Sequence, residues 1–407
     1  MQVLHPRCCG LDVHKDSLVA CIRIQQGACV KYRVESFGAT YVERVRLCDW
    51  LAEHAVTHVL MEATGVYWRP IWLELEGSFE VVVANAQHVK NVPGRKTDVN
   101  DATWLADLLA HGLVRGSFIP PQNIAELRDL CRLRVQMVRE QTQYTQRIHK
   151  ALQCHGYKLE SVLSDTMGKS GRAILCALRD GQTDPVALAN LAVGNARKKH
   201  ALLVEALRGH PTEHFRFLLR THLEQIQRLD TAIATVEAKL GEQMRPFDQA
   251  IKLLVSMPGV SETVARTIVA ETGADMSRFP SAAHLRSWAG LCPKMNESAG
   301  KRKNTRLKKG APWLKPTMIQ AAWAAIRTKD SYVESLFHRI KPRRGKKKAA
   351  VAVAASLLTA AYHMLKDGVE YKELGPQQLE PKAKDRTVKR LLRRLEALTG
   401  TQVRLAA

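Results

Sequence analysis

Four carboxylates in the first quarter of the chain stand in settings where they could do chemistry. Asp12 and Glu62 each end a short apolar run, and Asp98 and Asp101 lie close together in Lys-Thr-Asp-Val-Asn-Asp-Ala. A carboxylate at the end of a buried strand is held rigidly, where a solvated charge would gain little. Mg²⁺ prefers oxygen ligands, and bound divalent ions assist reactions at phosphate. These residues therefore suggest a divalent metal site that acts on a phosphate.

The spacing of Asp98 and Asp101 has two interpretations. At positions i and i+3, the two side chains would share one face at the start of a helix and could reach carboxylates at the ends of adjacent strands. Alternatively, Asp98 is only a helix cap and Asp101 a solvated acid of the first turn. Glu62 is harder to explain in this way, since it ends a strand just before Ala-Thr-Gly. We therefore predict that Asp12, Glu62, Asp98 and Asp101 are catalytic and hold Mg²⁺, with Mn²⁺ as an alternative ion.

A basic segment between Lys294 and Gly310 carries the second candidate site. Seven of its residues are Lys or Arg against a single Glu, and it follows Leu-Cys-Pro, so we predict an exposed loop that contacts phosphate. Ser298 is the only hydroxyl in its first half, beside the small Ala299 and Gly300. From the residues alone, a phosphate-contacting hydroxyl is the favoured interpretation. A nucleophile activated by the neighbouring cations is the alternative.

Charge and composition indicate the class of partner. The chain has 407 residues and a formal net charge of +23, which favours a polyanion such as nucleic acid. We find no apolar run near the roughly 18 residues that a membrane-spanning helix needs, and no secretory signal at the start. Nine cysteines occur without a Cys-x-x-Cys pair, which favours reduced thiols. We therefore expect a cytoplasmic protein with no membrane partner.

The pattern up to residue 121 is α/β and predicts a domain that positions the carboxylates. The predicted strands are Cys8–Val13, Ser17–Ile24, Val30–Ser36, His58–Glu62 and Phe79–Ala84. The predicted helices are Tyr41–Ala55, Trp68–Glu76 and Ala102–His111, with Asp98 at the N-cap of the last and a turn at 91–95. Three strands, helix, strand, helix, strand, helix is the order of a ribonuclease-H-like domain.

The remainder of the chain is predicted to be helical, in three segments. Residues 122–245 include apolar residues at heptad spacing (Leu219, Ile226, Ile233 and Leu240), which fit either a dimerising coiled coil or two helices packed within one domain. Residues 246–370 are mostly helical, and a Pro-Gly-Val turn at Gly259 resembles a helix-hairpin-helix element or an ordinary tight turn. Residues 371–407 form a basic tail. The residues predicted to contact nucleic acid are Lys96, Gly259, Lys294, Lys301, Arg302, Lys303, Arg306, Lys308 and Lys309.

Five segments occur in one order along the chain: Gly-Leu-Asp-Val-His-Lys, Met-Glu-Ala-Thr-Gly-Val-Tyr, Lys-Thr-Asp-Val-Asn-Asp-Ala, Pro-Gly-Val and Ser-Ala-Gly-Lys-Arg. Together they resemble the transposases of insertion-sequence family one hundred and ten, the bridge-RNA-guided recombinases, over residues 8–370. The resemblance implies a RuvC-like domain whose Asp-Glu-Asp-Asp set falls on Asp12, Glu62, Asp98 and Asp101. It also implies a C-terminal transposase domain whose serine nucleophile is Ser298, in Ser-Ala-Gly where Ser-Gly is common.

What the resemblance implies is DNA cleavage and rejoining through a phosphoserine, assisted by Mg²⁺. The implied partners are donor and target DNA, a non-coding bridge RNA that selects the target by base pairing, and further copies of the chain in a dimer or tetramer on DNA. The implied location is the nucleoid of a bacterial or archaeal cytoplasm. Two rivals remain: a hydrolytic RuvC-like junction-resolving nuclease, which needs no serine, and a nucleic-acid-binding protein without catalysis.

Overall fold

The structure is a computed structural model of the whole chain. It describes residues 3–63, 65–90, 92, 101–293, 296–298, 301–304, 306–307, 310–376 and 392. Contacts divide the chain into two compact units, Met1–Ile119 and Pro120–Ala407. The division lies next to the boundary predicted after residue 121, and the three later predicted segments belong to the second unit.

The first unit is built on a five-stranded mixed sheet. Its strands are β1 (Arg7–Val13), β2 (Ser17–Gln26), β3 (Cys29–Gly38), β4 (His58–Glu62) and β5 (Glu80–Ala84), in the order β3-β2-β1-β4-β5. β1, β2 and β3 pair antiparallel, whereas β4 pairs in parallel with both β1 and β5. The strand order is consistent with a ribonuclease-H-like domain.

Four helices accompany this sheet: α1 (Tyr41–Glu53), α2 (Trp68–Leu75), α3 (Ala86–Lys90) and α4 (Asp101–Ala110). The five predicted strands and three predicted helices are confirmed, with ends shifted by no more than two residues. α3 is an additional short helix that the pattern did not predict. The predicted turn at 91–95, apart from residue 92, and the predicted N-cap at Asp98 lie outside the described residues.

Apolar side chains cover both faces of the sheet. One core joins Leu11 and Met61 to residues of α1 and α2 such as Leu47 and Ile71. A second core joins the other face to α4, and Cys8, Leu60, Leu105 and Leu108 are buried in it. Burial on both faces explains why β1 and β4 are nearly continuous apolar runs that end in a charged residue.

The second unit is helical apart from one short hairpin, over the part of it that the structure describes. Its helices are α5 (Gln122–Cys154), α6 (Leu159–Val162), α7 (Lys169–Arg179), α8 (Pro185–Asn190), α9 (His200–Ala206), α10 (Glu213–Met244), α11 (Asp248–Val255), α12 (Glu262–Thr272), α13 (Ala282–Trp288), α14 (Leu314–Ala325), α15 (Tyr332–Arg344) and α16 (Lys346–Asp367). Its strands are β6 (Asn296–Ser298) and β7 (Lys301–Asn304). Of the predicted basic tail at 371–407, the structure describes only residues 371–376 and 392.

The two long helices, α5 and α10, pack against each other within this unit. Arg134 on α5 lies 2.7 Å from Glu237 on α10, and Tyr144 further along α5 contacts His222, closer to the start of α10. The helices are therefore antiparallel. Leu219, Ile226 and Leu240 of the heptad series are buried in this arrangement. The packing accounts for the series within one chain, and a dimerising coiled coil stays a prediction.

α16 corrects one expectation about apolar runs. By length and composition it could cross a membrane, and it is the one such helix in the described part of the chain. Its stretch from Ala349 to Leu365 contains no charged residue, so the expectation of no long apolar run was wrong. Half of its most apolar window is buried inside the unit, as in the core helix of a folded domain.

Candidate active site

The pairing of β1 with β4 brings two of the predicted carboxylates to one edge of the sheet. Leu11 on β1 is in register with Met61 on β4, and the two strands run in the same direction. Asp12 and Glu62 are the residues that follow these partners. The carboxyl ends of parallel strands are the usual place for a ligand site in an α/β sheet.

α4 brings a third predicted residue to the same edge. The Cys8 thiol lies 3.4 Å from the carbonyl oxygen of Ala106, whereas Gly10 lies against the backbone at Ala102. α4 therefore runs opposite to β1, and its first residue, Asp101, lies at the end of the sheet where Asp12 precedes the last residue of β1. The i and i+3 relation with Asp98 is a prediction outside the described residues.

The side chains at this edge remain accessible to solvent. The Asp12 side chain is 29% exposed, and its Oδ2 lies 3.3 Å from Nε2 of His14. Asp101 is exposed and Glu62 is half-buried. Across the described part of the chain, no three His, Cys, Asp or Glu side chains are grouped closely enough to hold a metal ion. The structure thus brings Asp12, Glu62 and Asp101 to one edge without a closed metal cage.

Carboxylates, and not thiols, are the donors that this edge offers to a metal. Burial raises the pKa of the Cys8 thiol to about 12 and raises that of Cys9 well above its ordinary value. A neutral thiol is a poor metal ligand. The carboxylate oxygens of Asp12, Glu62 and Asp101 fit Mg²⁺ or Mn²⁺, which keep several positions for water and substrate phosphate. All nine cysteines are free, as predicted.

An ion pair between a buried arginine and a partly exposed aspartate fixes α4 to the sheet. Arg23 on β2 is 3% exposed, and its Nε donates to Oδ1 of Asp107 on α4 at 3.0 Å. The hydroxyl of Tyr32 on β3 donates to the same oxygen at 2.7 Å. Removing one partner of such a pair would leave a buried charge uncompensated. These residues hold the helix that carries Asp101, and no sequence pattern indicated their pairing.

Gly10 lies in close contact with the backbone of α4, and we predict a large effect of Gly10→Ala. The added methyl carbon would lie 2.2 Å from the carbonyl oxygen of Ala102 and 2.5 Å from the amide nitrogen of Ala106. Backbone cannot yield as a flexible side chain can, so α4 must move. We expect a loss of about 1–3 kcal/mol in the free energy of unfolding.

Denaturant unfolding of the purified protein measures this loss. Gly116→Ala is the matched control in the same unit, because its methyl group would make an ordinary 3.5 Å contact with Val82. Equal stability of the two variants would contradict the tight packing of α4 on β1.

The segment predicted as an exposed basic loop contains two short strands that form a hairpin, which the pattern did not predict. β6 and β7 pair antiparallel, with Glu297 opposite Arg302 and Ser298 opposite Lys301, and a further bridge joins Pro293 to Leu307. Strand pairing places Ser298 at the last paired position before the two residues that connect the strands. Lys96, Lys294, Lys308 and Lys309 lie outside the described residues, and Arg306 is exposed.

The base of this hairpin is fixed by backbone packing. A methyl group on Gly310 would lie 2.3 Å from backbone atoms of Gly290, so the two chain segments approach as closely as glycine allows. Three residues later, the Trp313 ring has the guanidinium carbons of Arg132 and Arg139 at 5.7 and 5.2 Å from its centre. Both distances lie within the range of cation–π attraction.

A buried carboxylate orients one of these arginines. Glu271 on α12 is 1% exposed and accepts two hydrogen bonds from Arg132, at 2.8 and 3.0 Å. The bidentate geometry holds the guanidinium in one plane. The chain that follows the hairpin is therefore held against α5 and α12 by Trp313, Arg132 and Glu271, which the sequence analysis did not identify.

The turn at Gly259 has a packing role. Its φ is +74°, and a methyl group there would lie 2.4 Å from the carbonyl oxygen of Ala321 on α14. α12 then begins after Ser261, whose hydroxyl accepts from the amide of Val264. The ordinary tight turn between packed helices accounts for this glycine, and a phosphate contact there stays a prediction.

Two family models match this chain. One, described as a DEDD transposase of the IS110 type, matches residues 9–156, and the other, described as the transposase family IS116/IS110/IS902, matches residues 251–338. Both name the same family, and together they cover more than half of the chain. The chain belongs to the IS110 family of transposases.

Relatives from two bacteria carry names of the same kind. The chain is 28% identical over 222 residues to an uncharacterized 42 kDa protein of insertion element IS900 from Mycobacterium paratuberculosis, covering 53% of this chain and 52% of that protein. It is 26% identical over 317 residues to an uncharacterized 43.6 kDa protein of insertion element IS110 from Streptomyces coelicolor, covering 71% and 75%. The match to the first relative thus spans about half of its length.

Proposed function

We propose that this IS110-family protein is an insertion-sequence transposase that cleaves and rejoins DNA by transesterification through Ser298. The observation that supports this most is the meeting of Asp12, Glu62 and Asp101 at the carboxyl edge of the sheet. Rigid oxygen donors at such an edge suit chemistry at a phosphate. The transposase names of both family models support DNA as the substrate.

In the proposed reaction, Ser298 Oγ attacks a backbone phosphorus. A bond forms between Oγ and phosphorus, the bond from phosphorus to the 3′ oxygen breaks, and the serine proton passes to a base while the 3′ oxygen takes up a proton. The 3′-hydroxyl of another strand then reverses these steps on the phosphoserine. The number of phosphate ester bonds is conserved, so the reaction needs no ATP.

The carboxylates have two tasks in this proposal. Asp12, Glu62 and Asp101, together with the predicted Asp98, would hold Mg²⁺ or Mn²⁺, which when bound polarises the phosphate and lowers the cost of the charge that develops there. The carboxylates also accept protons near the reacting oxygens. Both tasks require Ser298 and the carboxylates at one phosphate, whether they come from one chain or from two.

We predict that the cations of the hairpin contact the DNA backbone. Replacing Lys301, Arg302 and Lys303 together with Ala should weaken DNA binding and flatten its salt dependence, because fewer counterions are released. The logarithm of the affinity should fall less steeply with the logarithm of salt concentration, by about 0.9 for each phosphate that the variant no longer neutralises. A salt titration by fluorescence anisotropy measures the slope, and an unchanged slope would mean that this hairpin does not touch phosphate.

RNA guidance and oligomerisation complete the proposal, and both rest on the family resemblance. A bridge RNA would select donor and target DNA by base pairing, and the protein would read backbone and shape. Exchange of strands between two DNA molecules needs several coordinated cuts, so a dimer or tetramer would act on DNA. The large positive charge supports binding to nucleic acid of either kind.

A hydrolytic RuvC-like junction nuclease is the alternative, because the same carboxylates would serve hydrolysis without a serine. A strand-exchange assay separates the two functions. Two labelled DNA molecules are incubated with the protein, its RNA and Mg²⁺, in the absence of ATP. The proposal predicts molecules that join both labels, whereas fragments alone, with no joined product under conditions that cleave, would favour the nuclease.

A further inference from the structure

The corner between α15 and α16 is a strongly charged surface in the described part of the second unit, and the functional site leaves it unexplained. From Arg339 to Lys348 the sequence reads Arg-Ile-Lys-Pro-Arg-Arg-Gly-Lys-Lys-Lys, with seven cations. No Asp or Glu occurs from Ser335 to Lys366. The family match to the C-terminal part ends at residue 338, so this corner lies beyond it.

The corner is held rigidly at the surface. Gly345 ends α15 and begins α16 with a φ of +81°, and a methyl group there would meet no atom within 4 Å. α16 is anchored directly after the turn by the buried Ala349 and Ala350, and α15 is anchored by Phe337, eight residues before Gly345. Residues 342–348 are all exposed. Five of the seven cations, at positions 343, 344 and 346–348, are thus exposed on this turn, whereas Lys341 lies over the Phe337 ring.

The charges at this corner are not neutralised within the chain. Among the residues that the structure describes, none of the seven cations takes part in an ion pair. Arg339 and Arg343 lie at positions i and i+4 of α15, where like charges repel. Lys346, Lys347 and Lys348 are the first residues of α16, where the helix dipole disfavours cations. Lys341, Arg343 and Arg344 lie in the last turn of α15, where the dipole favours cations, so the unfavourable placement is that of the three lysines, and it argues for a ligand that offsets their repulsion.

The types of side chain at the corner indicate the class of ligand that it would bind. Lys and Arg contact phosphate oxygens, whereas single-stranded nucleic acid is bound largely by stacking its bases on aromatic side chains. The corner contains no aromatic residue. We propose that residues 339–348 form a second DNA-binding site, which binds duplex DNA through contacts to its phosphate backbone. The inference rests on the proposed function only in taking DNA as the substrate.

The test removes three charges without disturbing the helix. Lys346→Gln, Lys347→Gln and Lys348→Gln are combined, because Gln is also a good helix former. Binding of a short duplex is measured by fluorescence anisotropy from 50 to 200 mM salt, without Mg²⁺ or RNA. If all three lysines contact phosphate, the salt slope falls by about 2.7, which is a roughly 40-fold smaller loss of affinity across that range.

Thermal unfolding of the same variant gives a second readout. Removal of cations from the start of α16 should leave the melting temperature unchanged or raise it, while DNA binding weakens. A lower melting temperature would assign the lysines to the fold and overturn the proposal. An unchanged salt slope would also overturn it.

A matched control comes from the same unit. Arg197, Lys198 and Lys199 are consecutive and exposed in a short 3₁₀ turn, so their replacement with Gln removes an equal charge. An equal fall in slope would mean that net charge alone is responsible, and a loss confined to single-stranded RNA would refute duplex DNA as the ligand. Since no strand cleavage is measured, DNA binding through the corner would survive even if Ser298 forms no adduct.

Discussion

Asp12→Asn is expected to lower DNA strand cleavage by about a thousandfold while leaving DNA binding largely intact. The change removes one negative charge from the edge where β1 and β4 end and keeps the shape of the side chain. Loss of a single group that stabilises a reacting phosphate typically costs a hundredfold to a thousandfold in rate, and a metal ligand belongs at the upper end. Rates of cleavage in Mg²⁺ measure the effect.

Asp16→Asn is the matched control for this change. Asp16 is exposed in the turn between β1 and β2, so it is the same chemical substitution four residues away from Asp12. Glu62→Gln should behave as Asp12→Asn does, because Leu11 and Met61 bring both carboxylates to one edge. Unfolding of either variant, or loss of DNA binding, would contradict a catalytic role.

Ser298→Ala is expected to abolish both the covalent intermediate and the rejoining of strands. Removal of a nucleophile leaves only the binding and electrostatic contributions, so the rate should fall by about 10⁴-fold or more. DNA affinity should change little, since a single hydroxyl contributes less than the surrounding cations. Strand exchange and binding, measured on the same preparation, separate the two effects.

Thr305→Val is the control for the serine. Thr305 is the other hydroxyl of the basic segment, and its replacement keeps the charge of that segment unchanged. If the Ser298→Ala variant cleaves DNA at an undiminished rate, Ser298 is not the nucleophile and the protein is a hydrolytic nuclease.

The positions of Asp12 and Glu62, the two carboxylates carried by strands, could be predicted from the sequence. β1 and β4 are buried on both faces, so their apolar runs end visibly at Asp12 and Glu62. A parallel pairing of two such strands then brings their carboxyl ends together. The helical pattern from Ala102 likewise indicated where α4 begins, within one residue.

The contacts that fix these elements could not be predicted in the same way. Gly10 inside a strand pattern is a signal of close backbone approach, but it does not identify α4 as the partner. The pairing of Arg23 with Asp107 joins residues that are 84 positions apart, and no local pattern encodes it. The hairpin of β6 and β7 could not be predicted from the sequence either. Its strands have charged residues where an alternation of apolar and polar residues would indicate strands.

The most direct test of the central claim is mass spectrometry of the protein after incubation with Mg²⁺, its associated RNA and a nicked donor DNA. The proposal predicts a nucleotide adduct on the peptide that contains Ser298, and no adduct in the Asp12→Asn variant. Cleaved DNA without any adduct on Ser298 would contradict the serine mechanism and favour hydrolysis at the carboxylate site.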